Sequence, residues 1–263
     1  MTFGFIGAGN MGGALATAAA KKTQVLLADS FAEKARALAE KLGGKAADTK
    51  TVAAECSYIF LGVKPQVMAS MLAEISPVLK ARKDSFVLVS MAAGVKIGQI
   101  RSMAGGDYPV IRIMPNIPVS VGSGVILYDA TENVSKEALD RFCEVMSGAG
   151  YLDRLDEKLI DAGSAVSGCG PAFVSLFAEA MADGGVACGL PRDKALQYSL
   201  QTIMGTAKLL LDSGMHPGQL KDAVCSPGGS TIAGVRALEQ SGFRAGAIEA
   251  VEDAFVRTKE LGK

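Results

Sequence analysis

FGFIGAGNMGGALA, residues 3–16, sets a short apolar run against glycines spaced G-x-G-x-x-G and then an alanine-rich stretch. The run before the glycines is apolar at every position, the pattern of a strand covered on both faces. Gly7, Gly9 and Gly12 follow that strand directly and open a helical pattern, the context in which the spacing reads as a dinucleotide fingerprint. Gly7 permits the tight turn, Gly9 lets the backbone approach a pyrophosphate, and Gly12 lets helix and strand pack closely. The helix start adds free N–H groups and a partial positive charge for the phosphates. A glycine-rich turn in some other doubly wound protein is the plainer alternative, and the strand, turn and helix context weighs against it.

The same pattern recurs downstream. TFGFI, QVLLA, YIFLGV, FVLVS and PVIRIM alternate with helical segments such as AEKARALAEKL and PQVMASMLAEISPVL. Strand and helix in alternation imply crossover units and a parallel sheet. GVILYDA, the helix-like SKEALDRFCEVMSGAG and the short YLD extend that sheet. From about Asp156 the strand signals stop, and DEKLIDAGSAV, GPAFVSLFAEAMADGGVACGL, PRDKALQYSLQTIMGTAKLLLDSG and FRAGAIEAVEDAFVRTKEL follow as helices. The expected fold is α/β: an N-terminal Rossmann-type, doubly wound, mostly parallel sheet over 1–155, then an all-helical domain over 156–263.

Bulk composition narrows the function. The 263 residues exceed an ordinary single domain, and 27 basic side chains balance 27 acidic ones. A neutral chain lacks the electrostatic footprint of a nucleic-acid or anionic-membrane partner, so a small-molecule partner is expected. Cys56, Cys143, Cys169, Cys188 and Cys225 are odd in number and contain no CxxC, which points to reduced thiols, no metal site and a cytoplasmic location. No leader pattern is expected at Met1, and no apolar run is expected to reach the roughly 18 residues of a membrane span.

Ligands of open α/β sheets lie outside the carboxyl ends of the strands. Asp29 and Ser30 end the second strand, where an acid accepts the ribose 2′-OH of NAD and repels a 2′-phosphate. Against this, Ser30 follows Asp29 directly and Lys34 or Arg36 on the next helix is within reach of a phosphate, and Asp29 as a plain helix cap is an equal alternative. NADPH and NADH both remain open. Val63, Lys64 and Pro65 in GVKPQ, and Met91, Ala92 and Ala93 in SMAAG, end two further strands and are expected beside the cofactor.

The second unusual stretch is HPGQLKDAVCSPGGSTIAG, residues 216–234. Its core, SPGGST, places a proline, two glycines and three hydroxyls before a helix, a geometry that presents backbone N–H groups to an anion such as a carboxylate. Taken together with FIGAGNM, GVKP, SMAAG, MPNIP and SGCGPAF, this stretch resembles the pyrroline-5-carboxylate reductases, from residue 3 to about 261. The resemblance implies reduction of 1-pyrroline-5-carboxylate to proline by NADPH or NADH. It implies too that the helical domain pairs subunits into a homodimer or higher oligomer. Carried over residue by residue, Gly7, Ala8, Gly9, Asn10, Met11 and Gly12 hold the pyrophosphate, Asp29 and Ser30 lie near the adenosine ribose, and Val63–Pro65 and Met91–Ala93 line the cofactor. Ser226, Gly228, Gly229, Ser230 and Thr231 contact the substrate.

Hydride transfer to a carbonyl ordinarily needs a proton donor, and the single histidine, His216, reads better as a cap beside Pro217. A cyclic imine removes the need, because it can be protonated in water and bind as an iminium. Thr231 is then the residue of catalytic interest, its hydroxyl hydrogen-bonded to the ring nitrogen. Two rival classes remain. A β-hydroxyacid dehydrogenase would carry a lysine on a long helix, where SGCGPAFVSLFAEA has none; a non-catalytic dinucleotide-binding redox sensor would have no use for SPGGST.

Overall fold

The computed structural model describes residues 1–261, which divide into two compact units: 1–169 with the segment from Ala254 onward, and 170–253. The first unit holds one eight-stranded sheet. Its strands are β1 (Thr2–Ile6), β2 (Gln24–Ala28), β3 (Lys45–Ala46), β4 (Tyr58–Leu61), β5 (Val87–Ser90), β6 (Val110–Pro115), β7 (Gly124–Ala130) and β8 (Gly150–Arg154). The spatial order is β3-β2-β1-β4-β5-β6-β7-β8. All neighbours run parallel except β6 and β7. The connection from Pro115 to Gly124 is a single 3-10 turn, too short for a crossover, so β7 returns antiparallel.

Helices cover both faces, and the apolar strands follow from that. On one face α1 (Asn10–Ala20), α2 (Ala32–Leu42) and α6 (Lys136–Met146) bury Leu15, Ala39 and Phe142 against Phe3, Phe5 and Phe60. On the other, α3 (Thr49–Glu55), α4 (Pro65–Ala81) and α5 (Ile97–Ala104) bury Val52, Leu72 and Ile100 against Ile6, Ile59 and Leu88. β1 is the pivot: successive side chains feed opposite cores, and Gly4 sits where a Cβ would collide with Val52 and Cys56. Burial pushes the Cys56 thiol up to about 12, which keeps it protonated and inert.

The break in strand signal at Asp156 and the break in compactness differ. α7 (Glu157–Ser167) belongs with the sheet: Ile160 is buried with Met114 and Leu127, and Asp161 accepts from the Arg112 guanidinium at 2.6 Å. The division by compactness therefore falls after Cys169 and not at 155/156. One expectation is corrected here. Glu157–Ala187 contains an 18-residue window of mean hydropathy 1.3 and so is long and apolar enough to cross a membrane by length and composition. In the fold it is two helices, α7 and α8 (Gly170–Ala187), parted at Gly168 and Cys169.

The second unit contains α8, α9 (Arg192–Ser213), α10 (Pro217–Val224), α11 (Ser230–Gln240) and the first part of α12 (Phe243–Leu261). α8 and α9 pack as a pair through Gly185, Ala195 and Leu190, and α9 ends at Gly214 in the left-handed conformation. Few of its apolar side chains are covered. Leu176, Met204, Leu211 and Ile248 are all more than half exposed.

Candidate active site

β2, β1, β4 and β5 are adjacent and parallel, so their carboxyl ends share one edge of the sheet. The expected cofactor residues all leave from that edge. From β1 the chain turns to β2 on one side, while β4 lies on the other, which makes the gap between β1 and β4 the topological switch point. There the backbones of Gly7 and Gly62 touch. Gly7 has φ +107°, and a Cβ on it would strike the Gly62 carbonyl. Gly62 N–H donates to Ile6 at 2.8 Å, and Gly7 N–H donates to Ala28 at 2.7 Å. Gly62 belongs to the turn as fully as Gly7. It sits inside GVKPQ, and its place between a strand and a helix was the only signal for it.

The three fingerprint glycines have different physical reasons. A Cβ on Gly12 would meet the Gly7 carbonyl, so Gly12 keeps helix and turn in contact. Gly9 is otherwise: its φ of −68° and ψ of −172° suit any residue, and a Cβ there would meet nothing within 4 Å. Neither backbone nor packing demands a glycine at position 9, and the space beside it is open. Gly9 is also the N-cap of α1, with no side chain bonded to the helix start and no acid in the first turn. The N–H groups of Asn10, Met11 and Gly12 are thus free for phosphate oxygens. The chain fits a dinucleotide at this turn.

Asp29 is engaged inward. Its Oδ2 accepts the N–H of buried Ala8 at 2.7 Å, and its Oδ1 accepts the Phe31 N–H at 2.9 Å and the Ser30 hydroxyl at 3.4 Å. The N-cap of α2 is Phe31, so Asp29 is not a plain cap. It staples the glycine turn to the start of α2. Lys64 is the N-cap of α4, without a side-chain bond to the helix, and Pro65 takes the first position, where its missing N–H costs nothing. After β5, Met91 and Ala93 are partly exposed, whereas Ala8 and Ala92 are buried and can offer a ligand only backbone.

The residues expected to contact the substrate lie in the second unit, on the connection from α10 to α11. Ser226, Gly228, Ser230 and Thr231 are exposed there. Gly228 takes φ +68°, and the Gly229 N–H closes a turn onto the Ser226 carbonyl at 3.0 Å. A Cβ on Gly229 would push against Ser226 Oγ and approach the Ser226 carbonyl, so the turn is close-packed at the second glycine of SPGGST. Gly229 is the N-cap of α11, and no side chain caps that helix. The Ser230 and Thr231 N–H groups are left for an anion, with the Thr231 hydroxyl beside them. His216 caps α10: its Nδ1 accepts the Gly218 N–H at 3.1 Å, and Gln219 accepts the His216 N–H at 3.2 Å.

A doubly wound sheet with a glycine turn at its switch point and an uncapped helix start defines the class: a protein with a Rossmann-type dinucleotide-binding domain. Residues 2–94 match the family model described as NADP oxidoreductase, coenzyme F420-dependent, and residues 157–261 match that described as pyrroline-5-carboxylate reductase dimerisation. The chain is 40% identical to the pyrroline-5-carboxylate reductase of Escherichia coli (strain K12), covering 99% of this chain and 98% of the relative. Among solved structures it is similar to Plasmodium falciparum pyrroline carboxylate reductase with NADP bound, at 32% identity and a TM-score of 0.89 over 100% of this chain and 98% of that one. A pyrroline-5-carboxylate reductase from Coxiella burnetii superposes with a TM-score of 0.90 at 29% identity, covering 99% and 98%. The chain belongs to the pyrroline-5-carboxylate reductase family.

Proposed function

We propose that this enzyme reduces 1-pyrroline-5-carboxylate to L-proline with NADPH or NADH, the last step of proline biosynthesis. The observation that carries the reading, beside family membership, is the pair of uncapped helix starts, α1 behind Gly9 and α11 behind Gly229. One suits a pyrophosphate and the other a carboxylate. The nicotinamide, when bound, supplies the hydride. Gly7, Ala8, Gly9, Asn10, Met11 and Gly12 surround the pyrophosphate in this reading: the Asn10, Met11 and Gly12 N–H groups bond it, while the Gly7 and Ala8 N–H groups hold the turn through Ala28 and Asp29. Asp29 and Ser30 face the adenosine ribose, and Val63, Lys64, Pro65, Met91, Ala92 and Ala93 line the remainder.

On the substrate side, the Ser230 and Thr231 N–H groups grip the carboxylate, and Ser226, Gly228 and Gly229 shape the turn around it. The imine nitrogen takes its proton from water, and the Thr231 hydroxyl oxygen accepts a hydrogen bond from the resulting iminium N–H. The reacting carbon then accepts hydride without an acid from the protein. The chain contributes proximity and orientation, an effect worth up to about 7–11 kcal/mol in favourable systems. A β-hydroxyacid substrate is disfavoured because α8 carries no lysine to protonate an alkoxide.

The reading assigns residues 1–155 to dinucleotide binding and 156–263 to substrate binding and dimerisation. The uncovered apolar side chains of α8, α9 and α12 support a homodimer or larger homo-oligomer formed through the helical region. Five free cysteines suit a cytoplasmic location, and neither nucleic acid nor membrane is a partner in this reading. Absorbance assay of NADPH and NADH oxidation with 1-pyrroline-5-carboxylate tests it, with a β-hydroxyacid and NADP⁺ as the rival pair. Oxidation with the imine supports the reading; turnover of the hydroxyacid alone overturns it.

A further inference from the structure

We infer that Glu157 is a positioning residue for the cofactor loop that follows β5, acting through the Ile97 N–H. This rests on the reading of Met91–Ala93 as cofactor neighbours. The loop spans Met91–Lys96 and turns at Gly94, whose φ is +73°. One end of it lies beside, and the other is bonded to, a charge network centred on the buried Arg112. Ser90, the residue before the loop, is paired in register with Arg112 on β6. Ile97, the residue after it, donates its N–H to Glu157 Oε1 at 2.6 Å.

Arg112 anchors the network. Its side chain is 1% exposed, and its guanidinium reaches Asp161 at 2.6 Å and Glu157 at 3.5 Å. Glu157 is held from behind as well, because its own N–H donates to Asp129 Oδ2 at 2.8 Å. The Ile97 N–H is one of the unsatisfied donors at the start of α5, and Gln99 Oε1 takes the neighbouring Lys96 N–H at 2.8 Å. Inside the loop the only backbone bond is long, Val95 N–H to the Ala92 carbonyl at 3.4 Å. The carboxylate of Glu157 thus fixes where the loop ends, and through it where Met91 and Ala93 stand. The guanidinium, itself held by Asp161, lies against that carboxylate, and Asp129 holds the Glu157 backbone.

Equilibrium binding of NADPH, followed by its own fluorescence because the chain has no tryptophan, tests this alongside the KM for 1-pyrroline-5-carboxylate. Glu157→Ala is expected to weaken NADPH about tenfold and leave that KM within about twofold. Glu157→Gln keeps an oxygen for the Ile97 N–H and is expected to bind NADPH as the wild type does. Ile97→Pro removes the donor instead of the acceptor, at a first-turn position that tolerates proline after the extended Lys96 (φ −82°, ψ 159°), and is expected to match Glu157→Ala. Wild-type affinity in Glu157→Ala or Ile97→Pro, or an equal loss in Glu157→Gln, overturns the inference. Should neither of the first pair fold, Glu157→Gln decides by the same criterion. Ala93→Glu separates the two levels: unchanged NADPH affinity in that variant overturns the cofactor reading of the loop itself, whereas a loss there beside wild-type binding in Glu157→Ala overturns only the positioning role.

Discussion

Asp29 and Ala8, 21 residues apart, are joined at the carboxyl edge of the sheet: Oδ2 of the acid accepts the Ala8 N–H at 2.7 Å. An acid at the end of β2 is ordinarily read for its effect on cofactor choice, and this one also fixes the glycine turn. Asp29→Ser separates the roles. Loss of charge should raise the NADPH-to-NADH preference several-fold, about 1 kcal/mol. Loss of the bond leaves the buried Ala8 N–H unsatisfied and should cost about 1–3 kcal/mol of stability. Ratios of kcat/KM and a denaturant melt measure the two effects. A lower stability with an unchanged cofactor ratio would make Asp29 an anchor alone.

Gly9 and Gly7 should respond in opposite ways to alanine. At Gly9 the backbone is ordinary and the added methyl meets no protein atom, so stability should hold to about 0.5 kcal/mol while NADPH binding falls at least tenfold. At Gly7 the positive φ and the Gly62 carbonyl make the same change destabilising by roughly 1–3 kcal/mol before any cofactor is added. Calorimetric titration with NADPH and thermal unfolding of the free proteins check both. Tight NADPH binding by Gly9→Ala would remove the pyrophosphate from this turn.

Much of this arrangement can be read from the chain alone, because buried parallel strands are short apolar runs and the glycine turn follows one of them. β3 escaped notice: Lys45 and Ala46 are two exposed residues with no pattern to see. α3 was missed too, since seven residues opening TKTVAAE show barely two helical turns. Arg112 lies inside PVIRIM, where the strand pattern carries no signal of its pairing. Its partners come 45 and 49 residues later, on a helix that composition assigned to the other domain. For Asp29 the sequence supplied two roles, ribose acceptor and cap, and the observed bond to Ala8 depends on β1 and β2 lying side by side. His216, by contrast, caps the helix that Pro217 opens, as local spacing foretold.

Thr231 and His216 should differ sharply. Thr231→Ala removes one hydrogen bond to the iminium and should lower kcat/KM by roughly ten- to a hundredfold, about 1.5–3 kcal/mol. His216→Asn preserves a good helix cap and should leave the pH profile of kcat/KM unchanged, since the titration belongs to the substrate imine. Steady-state rates across pH decide. A limb of the profile lost with His216→Asn would identify a protein acid, whose removal typically costs ~10²- to 10⁴-fold.

Subunit pairing should be visible in sedimentation. Leu176 is 68% exposed and Leu211 84% exposed in the single chain, apolar surface that association would cover. Leu176→Asp should shift the protein toward monomer and reduce activity in parallel if the sites need the assembly. A wild-type monomer fully active on dilution would contradict a shared helical interface.

The central claim, reduction of the imine carbon by the nicotinamide, is tested most directly with NADPH doubly deuterated at the nicotinamide C4. Mass spectrometry and NMR of the product should find one deuterium per proline, on the ring carbon beside nitrogen and remote from the carboxylate, with one NADPH oxidised for each proline formed. Proline without deuterium, or NADPH oxidised without proline, would contradict the account.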